Sequence, residues 1–156
     1  MSLIVWRIIQ RKFATSAFTG DGARCFGGRW NSPRRAVVYT AQSLSLAALE
    51  ILVHVDSEKL LDDYATIPVT IDERLITTVR ESSLPNNWQA YPAPKATRTI
   101  GDEWLARGDS VVLQVPSAVI SAESNFLINP SHKGFRKLRI GKLRRFRFDP
   151  RLTQRP

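Results

Sequence analysis

Between residues 37 and 55 the chain passes from a β-branched run directly into an apolar helix that carries one carboxylate. Val37-Val38-Tyr39-Thr40 reads as a strand opened by the turn at Pro33. Ser43 or Ser45 then caps a helix predicted to reach about Val55, where Asp56 and Ser57 stop it. Leu46, Leu49, Leu52 and Val53 form its buried stripe, with Glu50 in their midst. An acidic group among leucines is costly to ionise without compensation, roughly 1–3 kcal/mol even for a merely unpaired polar group. Glu50 therefore has either a partner elsewhere or a chemical task. His54, four residues on, shares its helix face and is one candidate contact, a plain surface pair being the simpler version.

The rest of the chain alternates strands and helices without a regular βαβ rhythm, which predicts an α+β fold with a mixed sheet and flanking helices. Leu3 to Ile9 is expected as a first strand anchored by Trp6, and Ala65 to Ile71 as a third. Residues 18–28 hold four glycines and read as a mobile or ligand-hugging loop. Prolines at 85, 92 and 94 mark another loop, followed by a helix from about Lys95 to Arg107 with Trp104 inward. Ser110 to Val115 is expected as a strand, Leu127 to Ser131 as a turn, and a basic strand follows to Phe148.

At 156 residues, residues 1–156 form one domain large enough to bury a core without metals or disulfides, with only the last few residues untethered. Apolar runs stop well short of the roughly 18 residues that a membrane span requires. The start reads as a strand rather than a signal peptide, and the single Cys25 fits a reducing cytoplasm. Cys25, His54 and His132 are too few for a dedicated metal site, so none is expected. Net charge is +9, which favours a polyanionic partner: nucleic acid, an acidic protein or a phosphate-bearing small molecule. Eight Lys or Arg residues and no acidic one lie between Lys133 and Arg147, either a solvated edge or an anion-binding face.

Standard catalytic motifs are missing. No phosphate-binding loop is present, and Gly20, Gly22, Gly27 and Gly28 lack the strand–turn–helix setting of a dinucleotide fold. What remains is Arg29, Tyr39, Glu50 and the polar residues around Asn129 and Ser131. Arginine offers a fork for phosphate or carboxylate, tyrosine a stacking face and a hydroxyl, glutamate a stabiliser of developing positive charge. Glycosidases ordinarily need two carboxylates because the leaving oxygen must be protonated. One suffices when the leaving group is already cationic, as the nicotinamide of NAD+ is. The set is thus chemically adequate for NAD+ cleavage, while Arg29 as an ion-pair partner and Tyr39 as a half-buried strand residue stay open. A nucleic-acid-binding module on the 133–147 stretch is the competing class, without a helix-turn-helix signal to support it.

The stretches Gly-Gly-Arg29-Trp-Asn, Val-Val-Tyr39-Thr-Ala, Ser-Leu-Ala-Ala-Leu-Glu50-Ile-Leu-Val-His and Asn-Phe-Leu-Ile-Asn-Pro-Ser131-His together resemble the RES domain family. Trp6-Arg7, Leu-Pro-Asn-Asn-Trp88, Gly-Asp-Glu-Trp104-Leu, Val-Pro-Ser117-Ala and Phe-Asp-Pro-Arg151-Leu extend the likeness over nearly the whole chain. This family is the toxin half of bacterial RES–Xre toxin–antitoxin systems. The resemblance implies a fold like that of diphtheria-toxin-type ADP-ribosyltransferases. It implies depletion of NAD+ by hydrolysis or phosphorolysis, with ADP-ribosylation of a protein as the alternative, NAD+ being substrate and no cofactor being needed. By position, Arg29 would hold an anionic part of NAD+, Tyr39 would orient the nicotinamide end, Glu50 would stabilise the oxocarbenium-like transition state, and Ser131 would complete the pocket. The implied partner is an Xre-type helix-turn-helix antitoxin that blocks the pocket and makes any DNA contact, with a homodimer within that complex left open. Arg34-Arg35 adds charge where a small turn residue is expected.

Overall fold

In the computed structural model, which describes residues 1–153, the chain runs β1 (Ser2–Gln10), α1 (Asp21–Phe26), β2 (Val38–Ala41), α2 (Leu44–Leu52), β3 (Tyr64–Asp72), β4 (Ile76–Thr78), α3 (Lys95–Arg107), β5 (Val112–Pro116), β6 (Ser124–Ile128), β7 (Arg139–Ile140) and β8 (Arg144–Phe146). The strands form one mixed sheet in the order β4-β5-β6-β2-β1-β3-β7, with β8 also on β3. Among the described residues only β4 and β5 pair in parallel. The α+β expectation holds, and Gln154 to Pro156, expected as a loose tail, lie outside the described residues.

β1 and β3 pair along their whole length, from Ser2 opposite Asp72 to Gln10 opposite Tyr64. Their β-branched residues suit this register: Val5, Val69 and Ile71 are wholly buried. On its other side β1 meets β2 at one register pair only, Trp6 opposite Ala41. β2 itself continues in full register with β6, from Val38 opposite Ile128 to Ala41 opposite Asn125. The sheet therefore parts between β1 and β2 beyond Trp6, although it stays intact on either side.

α2 begins at Ser43, whose hydroxyl accepts the Leu46 N–H at 3.1 Å. It lays Leu46 and Leu52 into a cluster with Ile8, Leu60, Tyr64 and Phe148. Val53, expected in the stripe, is exposed because the helix ends at Leu52. α3 has the bounds read from the sequence and buries Trp104 beside Trp30, Trp88 and Leu113. Its Gly101 lies against the Trp30 backbone so closely that a Cβ there would stand 1.5 Å from the Trp30 carbonyl oxygen. One turn of helix thus rests directly on the loop that carries Arg29, and Asp102 Oδ1 accepts the Ser32 N–H at 2.9 Å beside it.

Three expectations need correction. The glycine-rich 18–28 segment contains the short helix α1, ended by Gly27 in a left-handed φ of 72°. The turn expected at Leu127–Ser131 begins only at Asn129, whose carbonyl accepts the His132 N–H at 3.2 Å, while Leu127 and Ile128 end β6, an interior strand whose Asn125 to Ile128 are all buried. A short apolar run buried on both faces shows no alternation, which hid the strand. The basic stretch is not one strand but a 3-10 turn over Lys133–Lys137 and the two short strands β7 and β8 on β3.

Gly101→Ala is expected to destabilise the fold by about 3 kcal/mol, the overpacking cost where backbone rather than a side chain must yield. A urea midpoint within error of the parent protein would show that α3 does not rest on this loop.

Candidate active site

The parting of β1 from β2 opens into a cavity of about 840 Å³, within the roughly 300–1,000 Å³ typical of small-molecule sites. Its wall takes Trp6 and Arg7 from β1, Tyr39 and Thr40 from β2, and Glu50 and Ile51 from α2. The Gly27–Trp30 loop, the Tyr91–Ala93 segment, Arg98 of α3 and Asn125 of β6 complete it. Arg29, Tyr39 and Glu50 are thus brought to one cavity, although they lie on a loop, a strand and a helix.

Glu50 is compensated by hydrogen-bond donors rather than by an ion pair. Its Oε1 accepts from Ser117 Oγ at 2.7 Å and from Asn125 Nδ2 at 2.8 Å. The Ser117 hydroxyl, fully buried, is held in turn by the N–H groups of Val119 and Ile120, each at 3.1 Å. One carboxylate oxygen is therefore fixed while Oε2 has no protein hydrogen bond among the described residues. Asn125 Oδ1, next to it, is the buried side-chain polar atom that lacks a partner among the described residues. His54 reaches the cavity rim but makes no hydrogen bond to Glu50.

The Tyr39 hydroxyl donates to Asn31 Oδ1 at 2.6 Å and accepts the Trp30 N–H at 3.2 Å. Burial pushes its pKa up, so it stays a protonated donor throughout the physiological range. Asn31 is itself wholly buried, and its amide bonds the carbonyls of Ala23, Ser32 and Arg35. Gly28 packs so near this hydroxyl that a Cβ would lie 2.6 Å from it. Tyr39 thus fixes the loop that presents Arg29. The Arg29 Nη1 donates to the carbonyls of Trp88 and Ala90, both at 2.8 Å. Burial lowers its pKa, opposed by the charge of Glu50.

Two further arginines face the same space: Arg7, which the sequence offers only as part of the family likeness, and Arg98, which it does not mark at all. Arg7 donates from Nε to Ala17 O and from Nη1 to Tyr39 O, both at 3.2 Å, so its guanidinium bridges the gap where β1 leaves β2. Burial pushes its pKa down to about 10. Arg98 donates from Nη1 to Ala93 O at 2.7 Å. Arg7, Arg29 and Arg98 are all held by backbone carbonyls, and none forms an ion pair among the described residues. A cavity with three guanidiniums and one carboxylate is a hole of net positive charge, and partly desolvated charges of this kind favour an anionic ligand.

Ser131 is not among the lining residues. It is exposed, and its N–H donates to Asn129 Oδ1 at 3.0 Å. Asn125 and Ile128 are about 10 Å apart along β6, and Ser131 follows beyond the end remote from Glu50. The serine that touches Glu50 is Ser117, at the end of β5 and 67 residues away in sequence. A single serine after Pro116 carries no local signal for such a contact.

Ser117→Ala is expected to cost about 1–3 kcal/mol, since buried donors and an acceptor lose their partner together. Ser131→Ala should stay within about 0.5 kcal/mol of the parent protein. Chemical denaturation of the two variants side by side checks this, and the reverse ranking would return Ser131 to the site.

Comparison with known proteins gives the chain a family. Residues 4–149 match the RES domain. A protein of Yersinia enterocolitica serotype O:8 / biotype 1B named Toxin Res is 40% identical over 151 residues, which is 96% of this chain and 99% of the relative. The Prs ADP-ribosylating toxin of Sphingobium sp. (strain YBL2) is 31% identical over 160 residues, covering 99% of each. Among solved structures, the M.tuberculosis MbcT–MbcA toxin–antitoxin complex contains a chain that superposes with a TM-score of 0.76 at 19% identity, over 99% of this chain and 88% of that one. With a match over nearly its whole length and relatives of this closeness, the chain belongs to the RES domain family.

Proposed function

We propose that this protein is a toxin that cleaves the nicotinamide–ribose bond of NAD+ and is held inactive by an antitoxin seated over the cavity. The observation that carries the reading is the charge pattern of the wall. Three carbonyl-anchored arginines share the cavity wall with a single carboxylate, one oxygen of which has no protein hydrogen bond among the described residues. Such a wall suits a ligand with a dianionic diphosphate beside a bond whose leaving group is already positive. In this reaction the C1′–N bond breaks and its electron pair passes to the pyridinium nitrogen, which leaves as neutral nicotinamide. Glu50 Oε2 faces the positive charge that develops on the ribose, and fixed negative charge there lowers the barrier more than it favours the ground state. Water or phosphate then attacks C1′, and with water the products are ADP-ribose and a proton.

Names of relatives support this class. Proteins named Toxin Res match the chain end to end, and the structural neighbour was solved as a toxin–antitoxin complex. An Xre-type helix-turn-helix antitoxin is the partner implied by the family resemblance, and a carboxylate-ended plug suits the positive cavity. A second reading, transfer of ADP-ribose to a protein, is favoured by the relative named Prs ADP-ribosylating toxin. Both readings share the bond-breaking step and differ only in what captures the ribose.

Partner-free protein incubated with NAD+ should release nicotinamide, followed by mass spectrometry. Glu50→Gln should lower kcat by at least about a hundredfold with the fold intact, as removal of a transition-state stabiliser does. Labelled NAD+ with cell lysate separates the acceptors, since label on a protein band selects transfer. Folded wild-type protein that leaves NAD+ intact with water, phosphate and protein acceptors alike would falsify the proposal.

Arg7→Met should raise KM for NAD+ more than it lowers kcat, because the removed charge contacts the diphosphate in ground and transition states alike. Steady-state kinetics beside a denaturation curve distinguish this from a general loss of fold.

A further inference from the structure

Two aromatic side chains at the cavity take no part in the cleavage chemistry. Phe26 is 87% exposed and Tyr91 is 85% exposed, more than any other large apolar side chain among the described residues except Met1. Both line the cavity, and they come from separate segments, the end of α1 and the loop before α3. Scattered exposed apolar groups need no explanation, but two large ones on the rim of one charged cavity do.

Their backbones are fixed. Beneath Phe26, the Asn31 amide bonds Ala23 O at 2.9 Å and the Arg34 N–H bonds Arg24 O at 2.7 Å. On the other side, Ala90 O is held by Arg29 and Ala93 O by Arg98, so Tyr91 stands between two arginine-anchored carbonyls. The rings are thus held out into water by rigid supports, which is the arrangement of a stacking platform rather than of a loose loop tip. Their place relative to the charges also matters. Arg29 feels the charge of Glu50, and its Nη1 grips the residue before Tyr91. The wall therefore runs from carboxylate to guanidinium to aromatic rim.

From this order we infer that Phe26 and Tyr91 form a clamp for the purine base at the far end of the dinucleotide, giving the protein its preference for a dinucleotide over a mononucleotide. The inference rests on the NAD+ reading. With the nicotinamide ribose at Glu50 and the diphosphate at the arginines, the next planar group of the substrate reaches the rim. Aromatic faces there gain a base to cover them, and the base gains stacking on either side. A side chain of the antitoxin covering the same rings in the complex is the competing occupant, and the test separates the two.

The experiment compares kcat/KM for NAD+ and for nicotinamide mononucleotide, which keeps the scissile bond and lacks the purine. Phe26→Ala and Tyr91→Ala should each reduce the preference for NAD+ about tenfold, through KM rather than kcat, in line with stacking of one base. Phe26→Tyr and Tyr91→Phe should restore it, and unchanged denaturation midpoints are expected for exposed positions. An unaltered preference, or equal loss on both substrates, overturns the clamp and leaves the cleavage reading standing. A second arm does not depend on turnover: calorimetric titration of the protein with ADP-ribose and with ribose 5-phosphate. The alanine variants should bind ADP-ribose about tenfold more weakly. Should the wild-type protein be inert toward NAD+, this arm still decides, and equal ADP-ribose affinity in all variants overturns the clamp.

Discussion

The parting of β1 from β2 is the constraint on which the site depends. A sheet that continued in register past Trp6 and Ala41 would close the space where the cavity lies. Strands that separate leave backbone groups unpaired, and those groups must find other partners. Arg7 meets that need in part, donating to Tyr39 O across the gap and to Ala17 O beyond it. The same guanidinium that mends the broken ladder also brings positive charge into the opening. Architecture and electrostatics thus share one residue.

A related economy runs through the other arginines. Carbonyl oxygens hold a guanidinium in place without neutralising it, whereas a carboxylate would do both. Asp63, Asp72 and Asp149 neutralise arginines on the surface, where their pairs with Arg145, Arg74 and Arg151 carry little stabilisation. Among the described residues Glu50 is the only acidic group in the cavity wall, and its donors are neutral. Guanidiniums held by neutral carbonyls, rather than by carboxylates, are what give the cavity its field.

Much of this was legible in the sequence, and the rest failed for identifiable reasons. The helix bearing Glu50 showed itself because a carboxylate inside an apolar periodicity is anomalous, and the strand bearing Tyr39 because β-branched residues flank it. Ser117, Arg7 and Asn125 lie in stretches that carry the family resemblance, yet nothing local gave them a role at the site. Their importance arises from contacts 67, 32 and 75 residues distant in sequence, which no local pattern encodes. Ser131 stood out through its motif, yet β6 carries the motif's asparagine toward Glu50 and its serine away. β6 was missed for the opposite reason, an apolar run too short and too uniform to separate strand from turn.

Arg29 anchors the 88–90 loop through main-chain oxygens, with no reliance on the side chains of that loop. Every residue type offers the same carbonyl, so beyond the buried Trp88 the exposed positions that follow it can drift over evolutionary time while the tether persists. The rim of the cavity is therefore the part of this architecture most open to diversification, and paralogues with altered tastes in ligand would be expected to differ there before they differ at the carboxylate.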